Sequence, residues 1–492
     1  MEYKRSSVIP QRQKLKFLPD EARVITKIFG LDKIRIYKVF DRVLNLPDKE
    51  AGELLKLVVD NFDHRHKDIK RVFKDNFDRV NQGLDITIYK SLPLEKKLLL
   101  GSYFTLEYSI ESAALFNPSI VSHPDQKGLK AGELRVIISF RAVGEGHMSS
   151  VVFRSGILNK NGNINMDPTS PLVEKAKTIE SAEYSKEDFG MKLHDMGQSE
   201  LTDGIFEQLL DAFTMGEMTE AIEHYKAHNP MTPRHDRAID TLHWLARSNY
   251  EIEFDSDVDL SERVIFPRST TDIRAIEDAR FVEFTDENGQ RKYYGTYTAY
   301  NGHSILPQLI ETTNFCRFNI RTLMGKGSQN KGMALFPEKI NGQYAMISRN
   351  DAENIYIMFS DNINYWKDEK LLREPKFEWE FIQIGNSGSP LKTEKGWLLL
   401  THGVGPVRIY TIGAILLDLN DPTKVIGEIA EPILIPEEDE RNGYVPNVVY
   451  SCGGMLHNGY LVLPYAASDS RSGIVKFKLQ ELLDAMVPLS ED

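Results

Sequence analysis

From about residue 101 onward the chain is a succession of short β-branched or aromatic runs bounded by Gly, Asn, Asp or Lys-Gly turns, with no βαβ alternation. RVIISFRAV (135–143), SSVVFRSGIL (149–158), QRKYYGTYTAY (290–300), YAMISR (344–349), NIYIMFS (354–360), GWLLLTHGV (396–404) and GYLVLPYAA (459–467) are of this kind. Each such strand has an apolar face that needs a partner, which restricts the fold to an all-β sandwich, barrel or propeller. A strand, a Gly-containing turn and an aromatic strand recur at roughly 45–60 residues, about the period of a propeller blade. Room for five such units lies between 101 and 480.

Two stretches depart from this pattern. Before residue 101, Leu54, Leu55, Val58, Val59 and Phe62 recur at helical spacing. Similar patterns occupy 20–29, 34–44, 67–80 and 94–100, punctuated by Pro47 and Pro93, so 1–100 reads as a helical N-terminal region. Within the β domain (101–485), Ile205, Leu209 and Phe213, then Met218, Ala221, Ile222 and Tyr225, again fit helices. NPMTP (229–233) separates them from a further helix at 235–248, and 190–252 is expected to be a helical insertion.

Composition narrows the class. The 492 residues are 41% hydrophobic and 27% charged, enough apolar chain for a large core. No run of 18 apolar residues occurs, so no membrane span is expected, and the polar, charged N-terminus points to the cytoplasm. Cys316 and Cys452 make neither a disulfide framework nor a metal pair, and no metal site is expected. A net charge of −12 disfavours nucleic acid and anionic lipid as partners. An anionic substrate would need a local cationic pocket against that field. Phosphate-loop, dinucleotide, zincin and nucleophile-elbow motifs are all absent.

What remains is a set of polar residues embedded in apolar strands. AIEDARFVEF (275–284) sets Glu277 and Asp278 beside Arg280. Alone this is a surface ion pair; in a cleft it is a general acid tuned by its neighbours. NPSIV (117–121) begins with Asn117, and FRAVGEG (140–146) ends a strand with Arg141; turn chemistry and a solvated edge account for either taken singly. NKGMALFPEKINGQYAMISR (330–349) combines Lys331 with a hairpin turn at Asn341-Gly342. GWLLLTHGVGPVRIYTIGAILLDLNDP (396–422) carries His402 inside an apolar strand and then Tyr410, and PYAASDSRSG (464–473) carries Asp469. A lone strand histidine is by default a core residue with satisfied partners.

Taken in order, these blocks, with LSERVIFP (260–267) and GYVPNVVYSCGG (443–454), resemble glycoside hydrolase family 130, the β-mannoside phosphorylases and mannosidases built on a five-bladed β-propeller. The resemblance runs from about 105 to 480 and implies that Asp278 is the general acid of the family's E-D-P-R block, with Ala279 where proline is usual. It implies that Asn117, Arg141, Arg280 and Asp469 bind the sugar. Lys331, His402 and Tyr410 fall on its phosphate-binding blocks, with Arg317 or Arg321 as the accompanying guanidinium. A phosphorylase needs an acid and cations for a ready-made nucleophile, whereas an inverting hydrolase needs a second carboxylate to activate water. Lys331 and His402 therefore favour phosphorolysis, with inorganic phosphate as co-substrate and no cofactor.

Three departures stand out. N-K-G replaces N-K-D at Gly332, removing a carboxylate near the lysine; GNSGSP occupies 385–390; and Ser468 precedes Asp469 where alanine is common. EEDER (437–441) offers Glu437, Glu438, Asp439 and Glu440 as bases for a hydrolase. The expected activity is cleavage of β-mannosides by phosphate to α-mannose 1-phosphate. Its rivals are an exo-β-mannosidase and a carbohydrate-binding propeller without catalysis. Linkage and oligomeric state stay open, including whether the chain forms a homo-oligomer.

Overall fold

The computed structural model describes residues 6–84, 91–179, 183–195, 199–267, 275–300 and 305–489. Strands dominate after residue 104 and pair almost throughout as antiparallel neighbours in sequence. One group comprises Ala114–Ser122, Leu134–Val143 and Ser149–Leu158; a second comprises Ala275–Thr285, Arg291–Tyr300, Ile305–Thr312 and Arg317–Thr322. A parallel contact of Ser149 with Ala275 joins these two groups into one large sheet. Tyr344–Ser348, Ile355–Ser360 and Glu369–Arg373 form a third group, and Gln383–Asn386, Trp397–Val404, Tyr410–Leu417 and Val425–Glu428 a fourth. The fifth contains Val449–Tyr450, Tyr460–Ala467 and Arg471–Lys478. Gln11–Phe17, from the start of the chain, pairs antiparallel with Arg471–Lys478 and completes that last group. Among the described residues no sheet closes on itself.

The expected helices are present, with one exception. Lys33–Leu44, Asp48–Phe62, Ile69–Leu84 and Leu94–Tyr103 pack around Phe40, Phe73, Phe77, Leu99 and Phe104. The stretch 20–29 is not helical: Val24–Ile28 is a strand paired with Thr105–Ser109. Arg23 overrides the local pattern there. It is fully buried, with its guanidinium on Glu111 Oε1 at 2.9 Å, and this fixes the chain beside its strand partner. The N-terminal region is therefore mixed rather than purely helical.

In the insertion, Lys186–Asp195, Ser199–Phe206, Met215–His228 and Pro233–Ser248 share a core of Phe189, Phe213, Ile222 and Leu242. Thr214 and Thr232 cap the last two through reciprocal capping boxes, which explains the break at 229–233. The insertion ends before 252, since Tyr250–Glu253 already pairs with Arg317–Thr322.

The strands carry two irregularities of the same kind. Register slips between Phe116 and Ser119, so that Asn117 and Pro118 oppose Phe140 alone. It slips again between Glu277 and Arg280, so that Asp278 and Ala279 oppose Tyr297 alone. Asn117 has φ 48° and Asp278 φ 55°, left-handed values that Asn and Asp tolerate better than other side chains. Asp469 repeats the geometry at φ 49°. A further repeat links Leu134–Val143 to Trp397–Val404: Gly144 donates to the Met148 carbonyl at 3.1 Å, and Gly405 to the Ile409 carbonyl at 3.0 Å. Arg141 and His402 stand three residues before those glycines, at matching positions in two strand groups.

Candidate active site

The bulges decide where the chemistry lies. In a regular strand neighbouring side chains leave on opposite faces. The slip at Asp278 brings both Glu277 and Asp278 toward the same cluster of side chains. Asn117 Nδ2 donates to Asp278 Oδ1 at 2.5 Å. Arg141 lies 3.8 Å from the same oxygen, and Arg280 lies 3.9 Å from Oδ2. Arg280 also donates to the Asp278 carbonyl at 3.0 Å and to the Tyr450 hydroxyl at 2.6 Å, and that hydroxyl in turn donates to Asp278 Oδ2 at 3.4 Å. Each of these side-chain contacts to the carboxylate oxygens comes from a donor. Burial pushes the carboxyl up, but the charges of Arg280, Arg141 and Lys331 and the Asn117 bond outweigh it and hold it below its ordinary value.

A second cluster adjoins the first. Lys331 Nζ reaches Glu277 Oε2 at 2.6 Å, and Arg141 reaches Glu277 Oε1 at 2.9 Å. Glu277 is thus the carboxylate that meets Lys331 here, where Gly332 carries none. Gly332 itself has φ +85°, a value suited to glycine. His402 is buried, with Nδ1 3.0 Å from the Asn386 carbonyl and Nε2 3.2 Å from Arg349. The carbonyl requires Nδ1–H, which leaves Nε2 to accept from the guanidinium. Burial, then Arg349 and Arg280, push this imidazole well below its ordinary value, so it is neutral. A Cβ on Gly385 would lie 2.5 Å from the imidazole, so GNSGSP opens with glycine because His402 stands over it. Asn386 also bonds the Gly332 carbonyl, tying the His402 and Lys331 segments together. The Tyr410 ring stacks on His402 with centroids 6.0 Å apart, and Tyr450 meets His402 edge-on at 4.9 Å.

Asp469 completes the group. Burial and the nearby Asp278 charge push its carboxyl up to about 6, against Arg141 and Arg408.

Asn117, Arg141, Asp278, Arg280, Lys331, His402, Tyr410 and Asp469 therefore come together from separate strand groups. Arg317 and Arg321 do not join them. Arg317 is exposed and paired with Glu251, where the insertion meets its sheet. Arg321 bonds Asn319 on the same strand and lines a cavity with Tyr184 and Asp188. The guanidinium beside His402 is Arg349, the last residue of the 330–349 block; its place at a strand end, like that of Arg141, was the available signal. Tyr450, within GYVPNVVYSCGG, carried none beyond its block.

Three of the four EEDER acids are engaged by the N-terminal strand. Glu440 and Glu437 hold Arg12, at 2.9 and 2.8 Å, and Asp439 holds Lys16 at 3.0 Å; these contacts anchor the N-terminal strand. Among the described residues no helix is long and apolar enough to cross a membrane.

Residues 247–487 match the model of the family described as beta-1,4-mannooligosaccharide phosphorylase, Glyco_hydro_130. The chain is 33% identical over 250 residues to a 1,2-beta-oligomannan phosphorylase of Thermoanaerobacter sp. (strain X514), covering 49% of this chain and 81% of that protein. It is 38% identical over 216 residues to a beta-1,2-mannobiose phosphorylase of the same strain, covering 42% and 68%. A beta-1,4-mannooligosaccharide phosphorylase of Ruminococcus albus is 30% identical over 167 residues, covering 32% and 50%.

Proposed function

This chain belongs to glycoside hydrolase family 130, and from that membership together with the site's geometry we propose that it is an inverting β-mannoside phosphorylase. The observation that carries the reading is one acid, Asp278, ringed by donors and adjoined by Lys331 and Arg349. The scaffold is read as a five-bladed propeller, its blades the five strand groups and its last blade completed by Gln11–Phe17.

In this reading Asn117, Arg141, Arg280 and Asp469 hold the mannosyl unit. Lys331 and Arg349 hold inorganic phosphate, with Tyr410 beside them. His402 accepts from Arg349 and so sets the guanidinium rather than donating to the anion itself. Asp278 gives its proton to the glycosidic oxygen, directly or through a sugar hydroxyl. A phosphate oxygen attacks the anomeric carbon from the opposite face, the bond to the leaving sugar breaks, and α-mannose 1-phosphate forms. Asp278 is left as a carboxylate, the form its donors favour, and takes up a proton again from solvent. Phosphate binding supports that uptake, because an anion near Lys331 offsets the positive field that keeps Asp278 ionised. No cofactor is required.

The relatives act on both β-1,2- and β-1,4-linked mannosides, so the linkage is left as a variable of the test. One observation favours the second reading, an exo-β-mannosidase: Asp469, raised to about 6 beside Asp278, is a carboxylate that could activate water. Incubation with β-1,2- and β-1,4-mannobiose, with and without phosphate, separates the two. Phosphate-dependent appearance of mannose 1-phosphate supports phosphorolysis; phosphate-independent release of mannose supports hydrolysis and overturns the first reading.

A further inference from the structure

Glu277 has no role in the scheme above, yet its two carboxylate oxygens are divided between two cations. Oε1 accepts from Arg141 at 2.9 Å, and Oε2 accepts from Lys331 at 2.6 Å. Arg141 comes from Leu134–Val143 in the first strand group. Lys331 comes from the loop that leads into Ala334–Leu335. Asn386 fixes the backbone of that loop through the Gly332 carbonyl, while among the described residues Glu277 is the carboxylate that bonds the lysine head group. Glu277 lies immediately before the Asp278 bulge, so its side chain is set by the same backbone feature that aims the acid. Without a carboxylate between them, Arg141 and Lys331 are like charges converging on one partly buried site, and each would turn away from the other.

We propose that Glu277 is a positioning residue that holds Arg141, at the sugar end, and Lys331, at the phosphate end, at one fixed separation, so that the two substrate subsites form as a unit. Each cation here is met by its own carboxylate oxygen. An amide at this position has only one oxygen and presents a donor to the other cation. The inference rests on the phosphorylase reading, because it assigns the two cations to different substrates.

The test uses the full-length chain and whichever mannobiose the wild type cleaves faster. Glu277→Gln is expected to raise the KM of both phosphate and mannobiose by about tenfold or more, with kcat falling less than either KM rises. Glu277→Asp keeps both oxygens on a shorter arm and is expected to recover part of both KM values. Calorimetric binding of inorganic phosphate alone and of mannose alone to Glu277→Gln should weaken in parallel. A rise in only one KM, or unchanged affinity for both ligands, overturns the proposal. So does loss of kcat at unchanged KM. If Glu277→Gln does not fold, the same two affinities measured on Glu277→Asp decide, since weaker binding of both supports the proposal and weaker binding of one overturns it. Failure of the phosphorylase reading is seen separately, as a wild-type enzyme that makes no mannose 1-phosphate.

Discussion

Asn117 and Asp278 meet at 2.5 Å from two strands that are not hydrogen-bonded neighbours, and each stands at the same kind of bulge with a left-handed backbone. The bond joins two repeats of one local device. Asn117→Ala removes a donor from an ionised carboxylate, an interaction worth about 1.5–3 kcal/mol. We expect kcat/KM for the mannoside to fall by about tenfold to a hundredfold, and the limb of the pH profile that reports Asp278 to move upward. An unmoved limb would argue that Asn117 serves the sugar and not the acid.

Asp278→Asn should abolish most turnover, a loss of about 10²–10⁴-fold, while leaving the melting temperature near that of the wild type. Asparagine tolerates φ 55° almost as well as aspartate. Asp278→Ala should lose activity equally but also melt earlier, because alanine pays about 1–2 kcal/mol for that conformation. Thermal denaturation of the two variants side by side checks this.

His402 is neutral and already accepts from Arg349. Its imidazole should titrate well below an unperturbed histidine in substrate-free protein. Nitrogen chemical shifts of labelled histidine provide the measurement. His402→Ala should raise the phosphate KM more than the mannoside KM, because it frees Arg349.

In the proposed scheme Asp469, at about 6, offers both oxygens as acceptors to sugar hydroxyls only when it is a carboxylate. The sign follows from the raised value: two-oxygen acceptance is intact above about 6 and lost as pH falls through it. The mannoside KM should therefore climb on acidification across that range, and Asp469→Asn should give a high KM that no longer depends on pH there.

The N-terminal segment is held by charge as well as by its strand. Arg23 and Arg154 both reach Glu111 Oε1, at 2.9 and 2.7 Å, and all three side chains are buried. Glu111→Ala leaves two buried guanidiniums without their carboxylate, and we expect a loss of about 3–5 kcal/mol of unfolding free energy in denaturant titrations.

Several of these features can be read directly from residue order. The Asn341-Gly342 turn has φ 51° and 84°, with Ile340 and Gln343 exchanging hydrogen bonds across it, as the dipeptide predicts. The Thr232–Pro233 helix start is equally local. Val24–Ile28 is not: its helix-like spacing gave way to a buried ion pair with Glu111, which lies far along the chain. Arg317, Arg321 and Arg349 look alike in sequence, each on or at the end of a strand. Only the packing of one strand group against another turns Arg349 to His402 and leaves Arg317 at the surface with Glu251.

The sequence by itself determined the succession of strands, most of the two helical interruptions and the ordered blocks that match the family, because hydrophobic period, turn residues and motifs are local properties of the chain. Tertiary structure alone decided which cations face the acid. It also set Glu277 between Arg141 and Lys331, and paired Glu437, Asp439 and Glu440 of EEDER with Arg12 and Lys16. The physical reason is that charge–charge contacts and pKa shifts depend on distances of a few ångströms between segments far apart in the chain, and those distances exist only once the sheets have packed.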